Sequence, residues 1–181
     1  MSAEGVDIRV PQCEPGIGKV IGAPDSGELI EGVRVAPATL WSDDRGYFLE
    51  IVRLGRGLPA GFPPESTQVS AALSYPGAIK AFHFHRRQTD FWTVTEGMLQ
   101  VALVDLRPGS PTFAKKNTLY VGALRPWQIL IPPGIGHGYK VIGTGPAMLV
   151  YLTDRFYDPS DEGRIAYNDA GIAYDWELQH K

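Results

Sequence analysis

Short apolar runs alternate with glycine- and proline-rich breaks along the chain, and no segment keeps a helical period. Gly32–Thr39 (GVRVAPAT) alternates apolar and polar positions and predicts a strand. Ser42–Gly46 (SDDRG) reads as a turn, YFLEIVR as a continuing strand, and LGRGLPAGFPPE as a loop. Thr67–Leu73, Lys80–His85 and Phe91–Thr95 repeat the pattern, with SYPG and Glu96–Gly97 as turns. Met98–Leu106 (MLQVALVDL) is apolar over most of its length and predicts a buried strand. Asn117–Val121 predicts an edge strand. Gln128–Ile131 predicts a short strand ended by PPG, and Gly138–Ile142 and Ala147–Thr153 predict two more. Residues 1–31, broken by Pro11, Pro15 and Pro24, predict a mostly irregular N-terminal arm on a single domain spanning 1–181. The polar tail Asp154–Lys181 carries Tyr157, Tyr167, Tyr174 and Trp176. It predicts one short helical turn around Pro159–Glu162.

Many short strands with frequent turn signals in one domain imply an all-β sandwich or barrel of the jelly-roll kind. Composition supports this, because glycine (21) and proline (15) are both high enough to serve many turns. A net charge of -3 argues against a nucleic-acid partner, which wants a basic face. No apolar run approaches the roughly 20 residues of a membrane-spanning helix, so no membrane partner is expected. The opening residues MSAEGVDIRV lack the basic and apolar regions of a signal peptide. With Cys13 as the single cysteine, a reducing cytoplasmic setting is expected.

The chemistry concentrates in Gly77–Gly97. His83 and His85 stand two residues apart on a predicted strand, hence on one face. Asp90 follows the polar loop Arg86–Thr89, and His137 arrives in IPPGIGHGY. His83, His85, Asp90 and His137 have the donor types for a divalent metal such as zinc, manganese, iron or nickel. Equally, they can be polar barrel-lining residues that hold no ion. Phe82, Phe84, Phe91 and Trp92 flank the set and either pack the core or stack on a sugar or base.

The stretch resembles the first cupin motif, G(X)5HXH(X)3–4E(X)6G, with Asp90 at the glutamate. Pro132, Gly134 and His137 resemble the second motif, with departures at Pro126 and Val141. The resemblance implies a cupin-type jelly-roll barrel of two packed antiparallel sheets with short helical turns only. From Gly32 to Trp176 the chain is similar to the dTDP-4-dehydrorhamnose 3,5-epimerase family within the cupins. DDRGYFLEIVR, QVSAALSYPGAIKAFH, G-MLQVALVDLRPGSPTF, ILIPPGIGHGYKV and VYLTDRFYDPSDEGRIAYND-GIAYDW carry the resemblance, in the family's order.

That resemblance implies an isomerase acting on a nucleotide-linked 4-keto-6-deoxy sugar by deprotonation and reprotonation next to the ketone, with no cofactor required and a homodimeric assembly. His83 aligns with the catalytic base, a role that suits imidazole. Tyr151 aligns with the tyrosine that reprotonates the opposite face. Lys80 stands where the family has an arginine. Arg45, Glu50, Gln68, Ser70, His137 and Tyr157 align with substrate-contacting positions.

Two departures matter. The family's enolate-stabilising lysine aligns with Asp90, and a carboxylate would repel an enolate. The aspartate that orients the base lies beyond the family's Asp-Trp pair, whereas Glu177–Lys181 here supplies none. Asp90 is therefore expected either to orient His83 or to join His83, His85 and His137 on a metal. These roles exclude each other for His83. The departures also leave room for a metal-dependent cupin enzyme of another reaction class, such as a dioxygenase or small-sugar isomerase, for a 3,4-keto-isomerase of similar fold, and for a non-catalytic sugar-nucleotide-binding cupin.

Overall fold

The computed structural model describes residues 5–178, which form an all-β fold without a helix. In chain order the strands are β1 (Lys19–Val20), β2 (Arg34–Pro37), β3 (Leu40–Asp43), β4 (Gly46–Leu49), β5 (Gln68–Ser74), β6 (Ile79–His85) and β7 (Asp90–Glu96). There follow β8 (Met98–Asp105), β9 (Lys116–Gly122), β10 (Trp127–Ile131), β11 (Ile135–Ile142), β12 (Ala147–Thr153) and β13 (Glu162–Arg164).

Two sheets pack face to face. One has the order β1-β9-β8-β11-β6-β13 and the other β2-β10-β7-β12-β5; β3 and β4 form a separate hairpin. Pairing is antiparallel throughout except where β1 joins β9. Leu99, Val101 and Leu103 of β8 point into the core between the sheets, with Val94, Ile129, Ile131 and Leu149. Ala102, Val104 and Leu106 point the other way, into a second cluster with Ile17, Phe82, Ile172, Tyr174 and Trp176. The segment around β8 is thus apolar along its length because the arm and the tail cover its outer face. Each fully buried valine or leucine there contributes about 1.5–3 kcal/mol.

Lys116 ties this cover down. Its ammonium donates to the carbonyls of Glu14, Gly16, Ile172 and Ala173 at 2.8–3.1 Å, joining arm to tail.

Several elements differ from expectation. The strand expected over Asn117–Val121 is not an edge, because β1 of the arm pairs with it at Lys19↔Asn117. The run YFLEIVR stays extended only to Leu49. Strand β11 begins at Ile135, three residues early, which places His137 inside the sheet. In place of a helical turn at Pro159–Glu162, a turn closed by Asp161 N–H on the Asp158 carbonyl leads into β13. No helix among the described residues is long and apolar enough to cross a membrane.

Candidate active site

A cavity of about 370 Å³ opens between the two sheets. Strand β6 supplies Lys80, His83 and His85 to one wall. Strict alternation would put Lys80 on the face opposite His83. The pairing with β11 slips, however, from His137↔His83 to Tyr139↔Lys80, which leaves one extra residue on β6. Such a bulge re-aims side chains, and here it brings Lys80 to the cavity. Gly138 makes it possible, since a Cβ there would stand 2.3 Å from the Ala81 Cβ. Phe82 turns to the other face and is buried against Trp176, ring centres 5.6 Å apart.

His83 is held by Glu162, whose Oε1 accepts from Nδ1 at 2.6 Å. That fixes the ring and leaves Nε2 for chemistry. Glu162 comes from β13, which pairs with β6 at Glu162↔His85 and Arg164↔His83. Gly163 lets β13 lie flat on Phe84; a Cβ there would fall 2.0 Å from the ring. Burial pushes the Glu162 carboxyl up, but hydrogen bonds from His83, Arg164 and Tyr157 outweigh it and hold it at about 2. The carboxylate is therefore charged at neutral pH. The same hydrogen bond pushes the exposed Tyr157 phenol up.

Deeper in the cavity, His85, Asp90 and His137 converge, one ligand atom of each lying within 4.8 Å of the others. Asp90 is positioned by the Gln88 amide (2.7 Å) and the Trp92 indole N–H (3.2 Å). His137 Nδ1 donates to the Ile135 carbonyl at 2.9 Å. Burial pushes the His137 ring down to about 4, against the opposing pull of Asp90. From the other sheet, β12 presents Tyr151 and Thr153, and β5 presents Gln68.

The residues expected from the sequence are thus partly assembled. His83, His85, Lys80, Asp90, His137, Tyr151, Gln68 and Tyr157 all line the cavity. Asp90 does not orient His83; Glu162 does, and Asp90 faces His85 and His137 instead. The four-ligand metal set contracts to three, because His83 is turned to Glu162. Arg45 lies off the cavity on the β3–β4 hairpin, largely exposed and paired with Asp43. Glu50 pairs with Arg53 at 2.7 Å beside a separate hollow. Ser70 accepts from the Gln68 amide and does not itself line the cavity. Of the flanking aromatics, Phe82 and Phe91 are core residues, Phe84 packs on the outer cluster, and Trp92 faces the cavity edge-on to His137. The expectation for Glu177–Lys181 extends past the described residues at 179–181.

Sequence reasoning missed Glu162, Gln88 and Arg164. The signal for Glu162 was the polar-glycine-polar run Glu162-Gly163-Arg164 after the Asp-Pro-Ser turn. It is the pattern of a short edge strand with both charges on one face.

A family model described as dTDP-4-dehydrorhamnose 3,5-epimerase matches residues 28–181. The chain is 41% identical over 155 residues to the spore coat polysaccharide biosynthesis protein SpsL of Bacillus subtilis, covering 84% of this chain and all of that protein. It is 30% identical over 151 residues to the dTDP-4-dehydrorhamnose 3,5-epimerase of Escherichia coli, covering 81% of each. Among solved structures, the epimerase of Legionella pneumophila in complex with dTDP-4-keto-L-rhamnose matches with a TM-score of 0.71 at 27% identity. That match covers 84% of this chain and 82% of the other.

Proposed function

The chain belongs to the dTDP-4-dehydrorhamnose 3,5-epimerase family, and on that premise we propose that His83 Nε2 removes the proton from a carbon next to the 4-keto group of a dTDP-linked 6-deoxy sugar. The enzyme is an isomerase of nucleotide-linked keto sugars. One observation carries the assignment of roles: a His83–Glu162 dyad on one wall of the cavity and Tyr151 on the wall supplied by the other sheet.

The step balances within these groups. The C–H bond breaks, its proton passes to Nε2, and the electron pair moves into an enolate. Glu162, charged at neutral pH, stabilises the imidazolium that forms. Lys80 supplies a cation on the same wall, where charge develops on the keto oxygen. The Tyr151 hydroxyl returns a proton from the opposite face and inverts the carbon. Gln68 and Tyr157, tied by the Tyr157 N–H on the Gln68 side chain at 3.2 Å, border the mouth as nucleotide-side contacts.

The finer assignments belong to the same proposal. The nucleotide-linked substrate and the single cysteine fit the cytoplasm. The exposed Trp41 and Phe48 of the β3–β4 hairpin, with Val69 and Leu73 of β5, which ends its sheet among the described residues, and Tyr75 just after it, fit a homodimer interface. Arg45 and Glu50, which the fold places away from their own cavity, sit on or beside that hairpin.

The test is conversion of dTDP-4-keto-6-deoxyglucose, with products resolved by NMR. Wild-type protein is expected to yield sugar inverted next to the ketone, and His83→Asn to yield none. Unchanged substrate with wild-type protein, or full activity in His83→Asn, contradicts the proposal.

A further inference from the structure

Beside the dyad, and separate from it, we propose a divalent-cation site formed by His85, Asp90 and His137. Asp90 Oδ1 lies 4.0 Å from His85 Nε2, and Oδ2 lies 3.5 Å from His137 Nε2. Both distances are too long for hydrogen bonds. They approach the roughly 3.4 Å that separates two ligand atoms each about 2.1 Å from one tetrahedral ion. The outer bound of 4.8 Å among the three ligand atoms requires side-chain shifts of under about 1 Å to close the shell.

The hydrogen bonding points the same way. A carbonyl only accepts, so the Ile135 carbonyl takes the Nδ1 proton of His137 and leaves Nε2 turned to the Asp90 carboxylate. Among the described residues Asp90 has no lysine or arginine partner; its ion-pair contacts are His85 and His137 alone. The supporting shell is also in place. The Ile135 carbonyl orients His137, while Gln88 and Trp92 orient Asp90, as outer partners do at metal centres.

His83 stays outside. Its Nδ1 is taken by Glu162, and its ring centre lies 6.5 Å from that of His137. The base and the ion therefore do not compete for one imidazole. Two imidazoles and a carboxylate select zinc, manganese, iron(II) or nickel over magnesium or calcium. Three protein ligands leave positions open toward the cavity. An ion there supplies an electrophile for a carbonyl oxygen beside His83, a use that rests on the epimerase reading.

The test is equilibrium dialysis of chelator-treated protein against zinc or cobalt(II), with metal content by mass spectrometry and the cobalt absorption spectrum as a second readout. Wild-type, His83→Asn and Glu162→Gln proteins are expected to bind one ion per chain. Asp90→Asn and His85→Gln are expected to bind at least about 10–100-fold more weakly. Folding of each variant is checked by circular dichroism. If those variants do not fold, the test falls on wild type, where zinc should shift the histidine ring-nitrogen resonances of two imidazoles. Failure of wild type to bind, unchanged binding in folded Asp90→Asn, or loss in His83→Asn overturns the proposal. Solvent-proton exchange into substrate, read on the same samples, separates it from the epimerase reading. Exchange without a bound ion overturns the site alone, and a bound ion without exchange overturns the epimerase reading alone.

Discussion

Glu162 does for His83 what a carboxylate does for any basic imidazole: it accepts from Nδ1, and so fixes the ring and its tautomer. In Glu162→Gln the amide oxygen still accepts from Nδ1 but the charge is gone. We expect kcat to fall about 10²–10⁴-fold with KM little changed, as initial-rate kinetics will show. The carboxyl sits at about 2, below the 4.5 of a free glutamate. Its contribution to stability is therefore present above pH 4.5 and is lost as pH falls toward 2. His137 acts with the same sign at higher pH. It is buried neutral at about 4 against an ordinary 6.5, so its contribution is complete above 6.5 and is lost as pH falls toward 4. Thermal melts of metal-free protein should show Tm falling below about pH 6.5. In His137→Gln the part of that fall between pH 6.5 and 4 should be missing.

At the scale of elements, β13 and the β6 bulge decide whether the site exists. Gly163→Ala forces a Cβ into the Phe84 ring and should lift β13 from β6, parting Glu162 from His83. A loss of activity close to that of Glu162→Gln, with the fold retained by circular dichroism, is the expected result. These two elements were also the least legible ones in the sequence. The His83-x-His85 pair reads directly as one face of a strand, because period-two alternation needs nothing but the local chain. Lys80 reaches the same cavity only through an extra residue in the pairing with β11, and no local pattern shows that. Strand β13 is three residues long and depends on β6 for its pairing, so its own propensity carries almost no signal. Asp90 was visible as a carboxylate near the histidines. That it faces His85 and His137 follows from Gln88 and Trp92 holding it there.

At the scale of the whole molecule, the barrel reads well from sequence because its inner strands are apolar in register. The outer cover does not. Residues 5–31 and the tail look irregular, yet they bury the second face of β8 and are joined by Lys116. Lys116→Met removes the ammonium that four carbonyls share, and chemical denaturation should show a loss on the order of 1–3 kcal/mol. The exposed hairpin makes a matching prediction about assembly. Sedimentation should give twice the 19.8 kDa chain mass, and Trp41→Glu with Phe48→Glu should give the single chain.

The central claim is that His83, held by Glu162, takes a proton from carbon next to a ketone, and that Tyr151 returns one from the other side. Its most direct test is incubation of dTDP-4-keto-6-deoxyglucose with the protein in heavy water, followed by NMR at carbons 3 and 5. Wild-type protein should incorporate deuterium at one or both carbons with inversion. Tyr151→Phe should incorporate deuterium with little inverted product, and His83→Asn should incorporate none. Deuterium entering at the wild-type rate in His83→Asn, or not entering at all with wild-type protein, would contradict it.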